Sequence, residues 1–580
     1  MSSFRVSHCC FGFFLLVFVG STAFSQTVTF NRTTQATITS SNHIDLNNDG
    51  REDFIYFSDT TCTNGFLVAL SNGEDSYAPS TCYTLPNGSP VFIALGDFNS
   101  DGNPDVIVSA GTANFYEYLN RGNGTLHLQA NFITKTTVFS IVAADVNHDG
   151  RIDLLFNSAG GSDHNLHVWF GNGDGGFTIG PDTPLSVQGV LSIGDFDGDG
   201  KADVMSEFNI YSSSTEILYG DGAGHFAGGL PVGDDALLVP YDVNGDGKMD
   251  LVGAPFDFSI NGSTYHNTID VFYGTSNRTF TRKTITLGQC TAGSIPAVAD
   301  FDGDGINDIA IIEASDCHGG GPDTLNILLG NADGTYQPEQ AIYSSDAQIA
   351  SPLVVRLNRD SKPDLALAET VNPYSDFFFT NTTPGKFPRC APPDRGIGVA
   401  LCGPTSTVAS GSAVQFSVGA ANQTPGRKVE VWIDGKKMSE NLKQAFSHYS
   451  FLDASYTVGP GTHKVGIYSA GWDNILQLVS FPLTVGSTSC APPASPGLNV
   501  CSPLNNATLG SSALAWASGT VTGKILRMEV WVDGVKKYSA FGPNTLKTTL
   551  PLDSGTHQFG YYIVNTAGTK WEKIVYATVP

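Results

Sequence analysis

The 580-residue chain carries 55 acidic side chains against 30 basic ones, a formal net charge of −25, while only 15% of its residues are charged. An acid excess of that size excludes a nucleic-acid partner, which needs basic surface. The 65 glycines exceed the usual ~7%, and short apolar runs without a helical period point to an all-β protein of many strands and tight turns.

At the N-terminus, Arg5 precedes an apolar run from Cys9 to Val19, and Ala23-Phe24-Ser25 before Gln26 resembles a small-residue cleavage site. Residues 1–25 therefore read as an export signal, with Cys9 and Cys10 lost alongside it. No later apolar stretch approaches the ~20 residues of a membrane span. The mature chain is expected to be secreted or at the cell surface.

Next comes a phrase, D-x-[DN]-x-D-G-x-x-D, repeated six times. Its oxygen-bearing residues are Asp45, Asn47, Asp49 and Asp53; Asp97, Asn99, Asp101 and Asp105; Asp145, Asn147, Asp149 and Asp153; Asp195, Asp197, Asp199 and Asp203; Asp242, Asn244, Asp246 and Asp250; Asp300, Asp302, Asp304 and Asp308. Oxygens at positions one, three, five and nine, with glycine at six where the chain turns sharply, suit a hard cation that takes six to eight oxygens. Calcium is the expected cofactor, about six ions, which would offset roughly half the net charge. An EF-hand would close with Glu at position twelve between helices, whereas here apolar strand-like runs such as Val106-Ile107-Val108 follow. A seventh copy is damaged: Arg356 stands where the first carboxylate should be and Ser361 where the glycine should be, beside Asn358, Asp360 and Asp364. No ion is expected there, and the Arg356 guanidinium is expected to supply the charge by pairing with Asp360 or Asp364.

The copies recur about every 52 residues, the length of a four-stranded propeller blade with its turns. Between them lie Gly/Asn turns running to an aromatic, as in Trp169-Phe170-Gly171-Asn172-Gly173 to Phe177 and Tyr219-Gly220-Asp221-Gly222 to Phe226, which suit hairpins to an outer strand. This pattern resembles the FG-GAP or VCBS repeats in the propeller of integrin alpha subunits and in many secreted bacterial proteins. The resemblance implies a seven-bladed β-propeller over residues 26–389. It also implies ligand binding on the face opposite the calcium loops, where the longest loops are expected. Candidate ligand residues there are Asp163, His164, Tyr211, Phe256, Tyr265, His266, Asp316, His318 and Tyr374.

Beyond residue 389, Glu430-Val431-Trp432-Ile433-Asp434-Gly435 recurs as Glu529-Val530-Trp531-Val532-Asp533-Gly534, and Gly461-Thr462-His463 as Gly555-Thr556-His557. Two units of alternating strands, each about 90–100 residues with a Trp, are on the scale of immunoglobulin-like sandwiches. They resemble bacterial Ig-like modules, at residues 390–486 and 487–580, with Trp432 and Trp531 expected in their cores. Eight cysteines in an exported chain favour disulfides. The duplicated C-A-P-P phrase suggests Cys390 with Cys402 and Cys490 with Cys501, which leaves Cys62 with Cys82 and Cys290 with Cys317.

The expected role is a binding or adhesion module for an extracellular protein or glycan, a monomer with no catalytic residues. Neither H-E-x-x-H nor G-x-S-x-G occurs, and the ordered acids are taken by calcium. The alternatives are a polysaccharide-active lyase or hydrolase, as similar propellers occur in some pectin-cleaving lyases, and a spacer with no ligand.

Overall fold

The computed structural model describes residues 27–579 except 37–41, 58–60, 74–75, 112, 159–162, 209–213, 233–237, 260–261, 292–293, 316–321, 332, 369–374, 386–389, 394–396, 404–406, 409–413, 423, 425, 442–447, 459–460, 475, 486–489, 506 and 510–511. Among the described residues there are strands and turns but no helix, and so none that is long and apolar enough to cross a membrane. The export-signal expectation, residues 1–25, lies outside the described residues.

The repeats fold as antiparallel meanders. Sheet two is representative, with Pro90–Gly96, Asp105–Ala110, Asn114–Asn120 and Leu126–Ile133 in spatial order. Sheets one, three, four and five have the same four-strand order around Asp53–Phe57, Asp153–Ser158, Asp203–Phe208 and Asp250–Gly253. In sheet six the innermost position is split, since Cys290–Thr291 and Ala297–Ala299 both pair with Asp308–Ala314. Cys290 therefore belongs to sheet six. Sheet seven takes Leu353–Val355, Asp364–Ala368 and Ser375–Asn381 from its own repeat, and its outer strand is Phe30–Ala36 from the opposite end of the chain.

Packing follows this order. The second strand of each sheet starts at the last aspartate of its loop and is buried on both faces, as Asp105–Ala110 and Asp308–Ala314 are throughout. Outer strands such as Leu126–Ile133 mix half-buried with exposed positions after a single buried residue, Leu126, as expected where one face meets water. Apolar clusters join sheets one and two, two and three, three and four, four and five, five and six, and six and seven. A further cluster places Phe54 and Leu67 of sheet one against Val355, Ala366 and Phe378 of sheet seven.

The C-terminal part is two copies of one arrangement. In the first, Gly398–Leu401, Val414–Ala421 and Tyr449–Tyr456 form a three-stranded sheet. It shares a core with a five-stranded sheet whose short strand Thr407–Val408 runs parallel to Gln477–Val485. The second copy repeats every pairing, down to the parallel Ala507–Thr508 on Lys570–Val579. The cores use Val431 with Ile433 and Val530 with Val532, so Trp432 and Trp531 point outward, contrary to expectation. Each indole N–H is held by the carboxylate two residues earlier, Trp432 to Glu430 at 2.7 Å and Trp531 to Glu529 at 3.0 Å. Successive strand residues alternate faces, and the Glu at the same parity already marked that face as polar.

Disulfides join Cys62 to Cys82, Cys390 to Cys402 and Cys490 to Cys501. Cys290 is also disulfide-bonded, and Cys317 lies outside the described residues.

Candidate metal centres in the aspartate loops

The six intact loops share one hydrogen-bond scheme. The first aspartate accepts the backbone N–H groups of positions five and six, as Asp97 does from Asp101 at 3.0 Å and Gly102 at 2.8 Å, and Asp195 from Asp199 at 3.0 Å and Gly200 at 2.8 Å. Position three accepts from position five, as Asn47 does from Asp49 at 2.9 Å. The position-six glycines hold φ between 81° and 91°, a left-handed region that a side chain strongly disfavours. That scheme folds each loop back onto its first aspartate. In two loops, those starting at Asp195 and Asp300, three carboxylates each offer an oxygen within 4.8 Å of the others: Asp195, Asp197 and Asp203, and Asp300, Asp302 and Asp304. An all-oxygen, carboxylate-rich set fits calcium and not a softer metal.

The position-nine aspartate has a second task that its spacing does not reveal. Asp105 accepts from Phe98 N at 3.1 Å and from Asn120 N, at the end of the third strand, at 2.8 Å. Asp53, Asp153, Asp203, Asp250 and Asp308 make the same two bonds. All are 0% exposed. Each carboxylate oxygen has two acceptor positions, so a residue that ties loop to strand can still ligate an ion.

Burial, reinforced by neighbouring carboxylates and partly offset by these N–H donors, pushes the loop acids up: Asp105, Asp203 and Asp308 to about 8, Asp153 and Asp250 to about 7, Asp45, Asp195, Asp242 and Asp302 to about 6. A carboxyl whose folded-state pKa is raised binds more protons folded than unfolded, so stability falls as pH rises through that window. In chelator, the melting temperature is expected to fall from pH 4 to pH 8, while the increment given by added calcium grows over the same range. Scanning calorimetry at stepped pH, with and without calcium, checks both slopes, and a chelated melting temperature that rises across the window contradicts them.

The seventh loop keeps Asp364, with the same bonds to Leu357 N at 2.9 Å and Asn381 N at 2.7 Å. Arg356 is 4% exposed. Its Nε donates to the Asp360 carbonyl at 3.2 Å, a backbone and not a carboxylate contact, and its guanidinium lies 4.6 Å over the Tyr449 ring. Tyr449 belongs to the first sandwich.

That contact is part of a docking zone on the loop side of the sheets. Trp472 of the first sandwich is 3% exposed within the cluster between sheets three and four. Its carbonyl accepts from Asp145 N at 2.9 Å. Asn474 reaches the Asp145 carbonyl at 3.1 Å and His148 Nδ1 at 3.0 Å, and Arg427 donates to the Gly200 carbonyl. His448 lies 4.0 Å from Glu52. Local spacing carries no signal for these contacts, which join residues hundreds of positions apart. Trp472→Ala is expected to cost about 3–5 kcal/mol of docking, the usual loss for a buried Trp. Faster hydrogen exchange at the Asp145 amide would register it, with the core of the second sandwich unchanged.

The nominated ligand residues are only partly placed. Asp163 and His164 lie between the second and third strands of sheet three, and His266 between those of sheet five. Asp163 binds His167 Nε2 at 3.1 Å, while His167 Nδ1 meets Asp182 at 2.8 Å. The exposed His164 does not share in that network, so Asp163 is brought together with His167 instead. Phe256 and Tyr265 pair across a separate two-stranded hairpin that lies in sequence between the second and third strands of sheet five. Tyr211, Asp316, His318 and Tyr374 lie outside the described residues.

A family model for the FG-GAP-like repeat matches residues 45–108, 97–156 and 242–311. No curated protein matches the chain. Among solved structures, the chain is similar to fibronectin(III)-like modules of Clostridium thermocellum CbhA, at 16% identity over 31% of this chain and 93% of that one, TM-score 0.15. It is also similar to BBS1N in complex with ARL6DN, at 10% identity over 62% of this chain and 98% of that one, TM-score 0.40. A third likeness is to the Photorhabdus luminescens Tc holotoxin pore, at 10% identity over 87% of this chain and 28% of that one, TM-score 0.30. At these scores the likeness carries no inference about fold or role.

Proposed function

We propose that this chain, which carries FG-GAP-like repeats, is an extracellular calcium-loaded seven-bladed β-propeller with two Ig-like sandwiches, acting as a binding module for a protein or glycan. The seven apolar clusters that run from sheet to sheet and back to the first support ring closure. The pairing of Phe30–Ala36 with Ser375–Asn381 supports it too, because it ties both ends of the repeat region into one sheet. The disulfides favour an oxidising compartment. An ion saturated by one loop keeps no open position for a substrate, so the loops are read as structural, not catalytic.

The observation that carries the choice of face is the seating of the first sandwich on the loop side, through Trp472, Asn474, Arg427 and Tyr449. A partner then docks on the opposite side, where the loops after each second strand gather. The Cys62–Cys82 bridge holds one such loop, and loops fixed in advance lower the ordering cost of binding. A glycan and matrix-protein array, probed with calcium and with chelator, tests this reading. Calcium-dependent capture that persists after deletion of residues 487–580 supports it. Capture that moves entirely to that deleted segment overturns it.

A further inference from the structure

The third strand of sheet two breaks the apolar pattern at Glu117. Three residues before the amide that meets the position-nine aspartate, the other sheets place Val68, Val168, Ile217, Val271, Ile327 and Phe378, none more than 2% exposed. Glu117 is 0% exposed at the same place, and neither of its carboxylate oxygens has a hydrogen-bond partner. The charges acting on it are Asp105 and Asp174, both acidic. Asp105 is from its own sheet, and Asp174 is from the turn after the third strand of sheet three.

That turn is shaped to the carboxylate. Gly175 holds φ at 84°, and a Cβ there would stand 2.9 Å from both Glu117 oxygens, so only glycine leaves the acid its place. The Gly175 N–H donates to the Phe98 carbonyl at 3.0 Å, which fixes the turn of sheet three over sheet two. Asp174 spends Oδ1 on Gly176 N at 3.0 Å and is otherwise exposed. A buried carboxylate without a counter-charge is costly, and an apolar residue fills this position in every other sheet. The acid calls for a ligand that the loop scheme does not supply.

We propose that Glu117 and Asp174 hold a further hard cation, calcium in the medium that loads the loops, between sheets two and three. The donors are oxygen only, as calcium prefers, and water reaches the exposed Asp174 side to complete the shell. The ion is separate from that of the Asp97 loop and clamps two neighbouring sheets, whereas the loop ions each sit within one. The competing state is a protonated Glu117, neutral without any ion. The site rests on the calcium-loaded reading of the medium but not on occupancy of any particular loop.

Bound calcium is to be counted by elemental analysis after equilibrium dialysis of the full chain, comparing wild type with Glu117→Gln, Glu117→Val and the loop variant Asp101→Ala. Both Glu117 variants are expected to bind one calcium fewer than wild type with unchanged far-UV circular dichroism. In chelator, Glu117→Val is expected to melt no lower than wild type, since valine suits the position. Asp101→Ala combined with Glu117→Gln should lose two ions. A wild-type count in both Glu117 variants overturns the proposal in favour of the protonated acid. Loss of one ion in Glu117→Gln with none in Asp101→Ala would instead sink the loop assignment and leave this site standing.

Discussion

Removal of calcium is expected to lower the melting temperature of the seven-sheet body by far more than that of the second sandwich. A ligand that binds only the folded state adds RT ln(1 + [L]/Kd), about 2.7 kcal/mol per site at a hundredfold excess over Kd. Six proposed sites act on sheets that pack face to face through shared apolar cores. Without an ion, the loops keep carboxylates close to one another, as Asp195, Asp197 and Asp203 are, so the loss includes repulsion as well as ligation. The second sandwich, from Gly497–Ser502 to Lys570–Val579, contains no such loop and serves as an internal reference. The first should respond in between, because Asn474 and Trp472 grip the Asp145 loop. Scanning calorimetry with excess chelator measures this, and identical thermograms with and without chelator would show that the loops are not metal sites.

What was legible in the sequence was local. The loop register follows from ligand spacing within nine residues, and the strands after each loop follow from apolar runs such as Ile309-Ala310-Ile311-Ile312, all 0% exposed. Cys390–Cys402 and Cys490–Cys501 were readable because both cysteines of each pair sit in one duplicated phrase. The direction of Trp432 is ambiguous in the sequence because Val431, Trp432 and Ile433 are all apolar, and a period of two then allows either face. Glu430 on the same parity was the available signal. What stayed hidden was non-local: the pairing of Phe30–Ala36 with Ser375–Asn381, the insertion of Trp472 between sheets three and four, and the isolation of Glu117, whose oddity appears only once six other third strands are laid beside it.

The dual task proposed for the position-nine aspartate separates ligation from architecture, and the seventh loop is where the two come apart. Asp364 holds Leu357 N and Asn381 N just as its counterparts hold theirs, yet Arg356 has removed the first carboxylate of that loop and placed a guanidinium against Tyr449. Asp364→Ala strands two buried amides at about 1–3 kcal/mol each, so a loss of about 2–6 kcal/mol is expected, equal in calcium and in chelator. Asp308→Ala strands the equivalent pair, Phe301 N and Gly330 N, and also removes a proposed calcium ligand. Its cost should exceed that of Asp364→Ala in calcium and shrink toward it in chelator. Denaturant midpoints for the two variants in both conditions provide the comparison. An Asp364→Ala penalty that vanishes in chelator would mean that the seventh loop binds an ion despite Arg356, and that the aspartate acts through the metal and not through the strand it fastens.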